Sequence, residues 1–556
     1  MKKVCANSWC KASFDISEED RTMAMTFDIE WNPEHCPTCR HQYRGMFSAF
    51  LNLHRRTSSM SGNPMLSIFS AEKPFPVYSI AEWWSDTWDA VSYGRPFDFS
   101  KPFFPQFEDL HNVVPKIANF NEESENTDYS TNVGRETKNV YYCLRVYRSQ
   151  DIYYSEMITG YNNDLVDCLN CQRSGELWEC VQCIDCHLSS FLHRCYGTRD
   201  SHFCIDCRGC SDCLFCWNLR NKSYYIENKP VTKEQFAKIK AMVIDGRWLT
   251  LQKNLKRFAQ VHQQAIWPAL MNVNCEECRG DQLYNCSRAF ECYNCVNCQD
   301  NRYCWELSPS EKSLTSMDMT RGGIGELQFN SASGGGGNYM MRMCVKCRHT
   351  SDMTYCIDCF TCKDCFGCTG LRSKRFCILN QQCSKEEYEA LVPKIIAHMK
   401  KMKEWGTFFP HTTSPFAYNE SASMCTDPLK KEEVLARGWQ WADLPDLHQD
   451  ENGTKESLPD SIADVTDDIC KKVLLCESTG RKCKILPQEL KYYRTWNLPL
   501  PRHHADVRMQ RRRAMINPYQ LWRRPCGKCT AEMETSFSPE RPETVYCEKC
   551  YLEAVY

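Results

Sequence analysis

Two quartets of cysteine open and close this 556-residue chain: Cys5-x4-Cys10 with Cys36-x2-Cys39, and Cys526-x2-Cys529 with Cys547-x2-Cys550. Two thiol pairs, each on a short turn, are the ligand set of a structural zinc site. Four thiolates at about 2.3 Å close the tetrahedron and leave no position open for catalysis. Two Zn2+ ions are therefore expected. In the middle of the chain cysteine recurs every third residue, at 204, 207, 210, 213 and 216 and again at 356, 359, 362, 365 and 368. Three chemistries are open to these thiols, one of them iron–sulfur clusters, whose usual cysteine spacings differ from a ladder this regular. Adjacent rungs about 4.7–4.9 Å apart would let Cys168, Cys171, Cys180 and Cys183, or Cys344, Cys347, Cys356 and Cys359, close around further zinc. Protonated thiols would instead fill a narrow core as small hydrophobes.

The third candidate chemistry is basic. Between Lys491 and Cys529 stand ten Lys and Arg against one acid, Asp506, with Trp496, Tyr519 and Trp522 interleaved. Arg502, Arg508, Arg511, Arg512, Arg513, Arg523 and Arg524, with Arg40, Arg44, Arg55 and Arg56 beside the first quartet, would neutralise phosphates while the rings stack on bases. That combination suits RNA, DNA or a ribonucleoprotein. The alternatives are a solvated face or a partner for the acidic stretch from Asp450 to Asp468. No GxxxxGK[ST], HExxH, GxSxG or dinucleotide fingerprint is present, and no catalytic residue is assigned. The reading is a non-enzymatic zinc protein whose terminal modules contact nucleic acid. A protein–protein scaffold is the first alternative, a thiol-rich metal store or redox protein the second.

Forty cysteines in a chain whose first residues lack the apolar run of a signal peptide point to a reducing, cytoplasmic setting, where cysteine pairs bind metal more often than they form disulfides. No stretch approaches the eighteen apolar residues of a membrane span, so a soluble protein without a membrane partner is expected. The net charge of −2 favours no class of partner.

The elements that must position these residues follow from the spacing. Counting back by twelve from Cys216 or Cys207 meets cysteine repeatedly, with one break at Leu192; so strict a period is a coil repeat. The second copy lies 152 residues on. In each copy the ladder runs into a capping-box helix start, Thr232-x2-Gln235 and Ser384-x2-Glu387. The expected fold is mixed and mainly β: two short cysteine-ladder β-solenoids with helical caps, flanked by treble-clef and zinc-ribbon modules. The segments expected are a treble clef over 1–56, a degenerate ribbon with a Pro/aromatic-rich stretch lacking long helices over 57–137, and the first solenoid with its cap over 138–265. The second solenoid, with a Gly/Ser-rich loop at 308–341, spans 266–406; a connector spans 407–470 and the C-terminal module 471–556. The ends repeat at an offset of 468, which aligns Arg40 with Arg508 and Arg44 with Arg512. It sets Ser58, Ser61, Ser79 and Glu82 where the last quartet has cysteines, and His504 and Val507 where the first has Cys36 and Cys39.

The opening CxxxxC and Cys36-Pro-Thr-Cys39-Arg40, the segment from Lys73-Pro-Phe-Pro-Val-Tyr78 to Ser85, the CxDCRGC ladder and the closing LPLPR, RRR and YCEKCY elements together resemble an uncharacterised cysteine-rich zinc-ribbon family of candidate-phyla bacteria. The resemblance spans nearly the whole chain. It implies zinc-binding modules and carries no activity.

Overall fold

The computed structural model describes all residues except 50–51, 159–160, 170–173, 273–274, 276–277, 284–289, 291, 294–301, 304–316, 321–324, 333–335 and 444–457. Its residues gather into two compact units. One joins Met1–Phe120 to Leu270–Ala442; the other joins Asn121–Ala269 to Asp443–Tyr556. Each unit therefore combines one terminal module with the cysteine ladder that lies farther away along the chain.

In the unit holding Asn121–Ala269, short parallel strands succeed one another every twelve residues, and the pairing runs along several tracks at once. Val181 pairs with His193, His193 with Ile205, and Ile205 with Trp217. Three residues on, Ile184, Tyr196, Arg208 and Arg220 form a second track. His187, Arg199, Ser211 and Ser223 form a third, and Ser190, His202, Leu214 and Ile226 a fourth. Each turn is thus four triplets: an inward residue, a residue that pairs with the turns before and after, and a corner.

The corners are left-handed. Asp206, Gly209, Asp212, Phe215, Asn218 and Asn221 all have φ between 48° and 60°, a region where Asp, Asn and Gly cost least. The phenylalanines placed there recover the cost by stacking: Phe203 lies 4.8 Å from Phe191 and 5.0 Å from Phe215, with interplanar angles of 5° and 9°.

Ser189, Leu192, Thr198 and Ser201 fill some of the inward positions from Cys180 to Cys216; most are cysteines, essentially without solvent contact. Their thiols face backbone carbonyls in a repeating pattern; Cys204 Sγ is 3.4 Å from the His202 oxygen and 3.6 Å from that of Cys213. A small side chain that packs like a hydrophobe yet donates weakly suits an axis ringed by carbonyls. Helices Lys233–Val243 and Trp248–Gln264 follow, the first opened by the Thr232–Gln235 capping box.

The other unit repeats the pattern in a six-stranded sheet built on Gly325–Phe329, Asn338–Arg342, Ser351–Thr354, Lys363–Phe366 and Arg375–Ile378, closed by the antiparallel Gln381–Gln382. Gly325 pairs with Asn338, thirteen residues on, and later turns return to twelve. Strands Gly325–Phe329 and Asn338–Arg342 thus occupy part of the tract expected to be a loop; residues 308–316, 321–324 and 333–335 of that tract lie outside the described residues. The Pro-rich segment also differs from expectation. Phe103–Val113 is an eleven-residue helix: Pro105 stands in its first turn, where no intrahelical donor is lost, and the Glu404 carboxylate accepts the amides of Phe103 and Phe104 at 2.8 and 3.0 Å. Among the described residues no helix is long and apolar enough to cross a membrane.

Candidate metal centres

Both quartets are assembled in the same way. Cys5 and Cys10 lie on the turn between the antiparallel strands Lys2–Val4 and Ser13–Asp15; Cys36 is the N-cap of helix Pro37–Gly45, and Cys39 lies in its first turn. Cys526 and Cys529 lie between strands Trp522–Pro525 and Glu532–Thr535; Cys547 caps helix Glu548–Val555, whose first turn holds Cys550. In each quartet the four sulfurs lie within 4.8 Å of one another. Cys10 and Cys36 are 3.6 Å apart and Cys529 and Cys547 3.8 Å, and tetrahedral zinc asks for roughly 3.8 Å between sulfurs.

The surroundings favour a thiolate at one sulfur of each quartet, while burial raises Cys10 and Cys550 and contact with Cys36 raises Cys39. Contact with the Cys39 thiol brings Cys36 down to about 5 against its burial. Burial works to raise Cys526, yet the backbone amides of Cys529, Cys547 and Lys528 bring it to about 6; the amides of Cys547 and Lys528 stand 3.2 and 3.4 Å from its sulfur. The residues therefore fit a metal ion such as zinc, which would supply a closed structural crosslink between hairpin and helix.

The degenerate half-module of the N-terminal unit has kept the geometry of a site and replaced its contents. Ser58, Ser61 and Ser79 converge on the carboxylate of Glu82. Ser79 donates from its hydroxyl at 2.8 Å and its amide at 2.9 Å, and Ser58 also donates to the same oxygen. Burial would raise Glu82, but the bonds from Ser58, Ser61 and Ser79 hold it down to about 2. A carboxylate ringed by hydroxyls thus stands where the other copy has four thiols. In the C-terminal unit, Cys476 lies 3.4 Å from Ser478, and His504 caps helix Ala505–Ala514.

Among the described residues, the two terminal quartets are the groups whose ligand atoms converge to within 4.8 Å. Cys344, Cys347, Cys356 and Cys359 do not. They are fully buried and face carbonyls two residues before and nine after, as in Cys356 Sγ to Thr354 and Cys365. Stacked turns set neighbouring thiols in contact, Cys344 and Cys359 each with Cys347 and Cys356, without gathering all four to that distance. Cys168, Cys180 and Cys183 follow the same carbonyl pattern; Cys171 lies outside the described residues.

The arginines assigned to phosphate divide sharply. Arg40 and Arg44 are buried on Asp318, with Arg44 Nη2 at 2.7 Å. Arg508 and Arg512 are buried on Asp167 at 2.7 and 3.2 Å. These four guanidiniums are internal fasteners and do not face a phosphate. Arg513 pairs with Glu156, Arg502 with Glu477, and Arg56 and Arg524 bond to backbone carbonyls. Arg55, Arg511 and Arg523 are exposed.

Asp167 and Asp318 were not singled out from sequence. Their signal was the internal repeat itself: they lie 151 residues apart, one short of the ladder offset, because the Gly325 to Asn338 turn carries an extra residue. Protein-family models, curated proteins and solved structures all fail to match this chain.

Proposed function

We propose that the protein is a non-enzymatic, cytoplasmic scaffold for protein partners, in which two β-solenoids are rigid spacers and zinc-fastened treble-clef modules clamp their sides. The observation that supports this reading is the fate of the charged residues. Four of the arginines best placed to read phosphate are spent inside the units on Asp167 and Asp318. The four-thiolate sites are of the closed, structural type. The ladder thiols are sealed from solvent, as packing material would be.

Elemental analysis with a free-thiol count tests the structural part. About two zinc ions per chain, matching the two quartets, and free ladder thiols are expected; four or more zincs, or iron, overturn it. A chelator should loosen the terminal modules first, because metal binding there is folding energy.

Nucleic-acid contact remains as a second reading, supported by the exposure of Arg55, Arg511 and Arg523. Salt-dependent RNA binding that weakens in Arg511→Ala and Arg523→Ala would favour it over the scaffold.

A further inference from the structure

The last turn of the ladder in the unit holding Asn121–Ala269 borders a cavity of about 560 Å³, walled by Trp217, Asn218, Arg220, Lys222, Asn228 and Tyr556 among others. The other unit shows what an equivalent surface is built to hold. The 152-residue offset carries Trp217, Arg220, Lys222 and Asn228 onto Thr369, Arg372, Lys374 and Asn380; the 468-residue offset carries Tyr556 onto Trp88.

Over Arg372, Lys374 and Asn380 runs a stretch of chain that turns at Ser85–Thr87 and enters the short 3-10 helix Ala90–Tyr93, capped by Asp89. Arg372 donates to the carbonyls of Ser85 and Trp88 at 2.9 and 2.8 Å. Lys374 pairs with Asp89 at 2.6 Å, and the Asn380 amide donates to the Ala90 carbonyl at 3.1 Å. The fit is close: a Cβ on Gly94 would lie 2.6 Å from the Asn380 carbonyl oxygen.

The same clamp is present at the cavity. Asn380 accepts from the Thr369 amide at 2.9 Å and donates to its carbonyl at 2.8 Å. Asn228 does the same with Trp217, at 3.0 and 2.9 Å. Asn380 spends its other amide hydrogen on Ala90; that of Asn228 is left for an occupant. Lys222 is exposed and forms no ion pair among the described residues, whereas Lys374 has Asp89. Arg220 differs from Arg372 in being turned onto Asp206 and Tyr551, so it adds no further anchor.

We propose that this cavity docks a short acidic peptide segment of a protein partner, its carboxylate on Lys222 and the next backbone carbonyl on Asn228, as the capping Asp89 and the first residue of its helical turn are held in the other unit. An Asp-Ala pair set as Asp89 and Ala90 are set on Lys374 and Asn380 meets both anchors, and Trp217 and Tyr556 wall the space for small apolar side chains beside it. This rests on the scaffold reading and names one of its docking points.

The probe is a fluorescent synthetic peptide with the sequence of residues 85–95, titrated into the full-length protein and followed by anisotropy. Saturable binding is expected. It should weaken by about tenfold in Lys222→Glu, where repulsion replaces attraction, and fail in Asn218→Trp, which fills the cavity. A peptide with lysine at the Asp89 position should fail on the wild type and recover on Lys222→Glu. Absent saturable binding, or binding indifferent to both substitutions, would overturn the site. With zinc content and melting unchanged, that failure leaves the scaffold reading standing. Concentration-dependent self-association lost in Lys222→Glu would instead overturn the partner in favour of a second copy of the chain.

Discussion

Arg508 Nε stands 2.7 Å from Asp167 Oδ2 with both side chains buried, and in the other unit Arg44 holds Asp318 at the same 2.7 Å. In both cases a helix of the terminal module is pinned to the ladder by charge. Removing one partner leaves an uncompensated charge indoors, which costs about 3–5 kcal/mol. Asp167→Ala should therefore lower the unfolding free energy of its unit by that amount, read as a lower urea midpoint at unchanged slope, and Arg508→Ala by a similar one. The double variant should lose clearly less than the sum, because the residues share one interaction.

Asp318 also sets an acid limit. Burial alone would raise its carboxyl, but Arg40 and Arg44 hold it at about 2, below the ordinary 3.8. A depressed carboxyl contributes stability above its unfolded value and loses it as pH falls through the folded one. Stability should thus decline between about pH 4 and pH 2, and Asp318→Asn should flatten that part of a pH-dependent melt. An unchanged slope would show that the ion pair is not what is lost.

At the serine-ringed carboxylate, sequence drift is reversible in principle. Ser58, Ser61, Ser79 and Glu82 occupy the positions of four thiols in the other copy. Replacing all four by cysteine should raise the zinc content from about two per chain, as set by the two quartets, by one further ion. Glu82→Gln, which keeps the shape and removes the charge that the serines solvate, should instead lower the melting temperature without changing zinc.

The ladders should fail in alkali. Burial raises the Cys143 thiol from 9.0 to about 12, and it raises Cys195 and Cys207 in the same direction. At these three positions the unfolded thiol ionises above pH 9 while the folded one stays protonated, so their contribution is lost across the interval from about 9 to 12. Cys186, Cys216, Cys347 and Cys356, shifted down by neighbouring thiols against their burial, do not share in it. Far-UV circular dichroism should show strand loss in that window, with thiol absorbance rising in step. Cys143 ionising well before the strands melt would contradict its sealed surroundings.

The features legible in the sequence are those carried by local spacing. A cysteine every third residue placed the inward positions, the twelve-residue return placed the neighbours on successive turns, and CxxxxC or CxxC pairs marked both quartets, because turn geometry and ligand reach depend on residues close together in the chain. The offset of 468 likewise marked which half-modules lack a full set of four thiols. The helix at Phe103–Val113 stayed hidden because its start is stabilised by Glu404, some three hundred residues away. The partners of Arg40 and Arg508 stayed hidden for the same reason: Asp318 and Asp167 are far off in sequence, and a run of arginines looks alike whether it faces solvent or a buried carboxylate. Only the tertiary structure decided that each terminal module belongs with the more distant ladder. That choice rests on buried long-range ion pairs and apolar contacts, which leave no periodic trace in the chain.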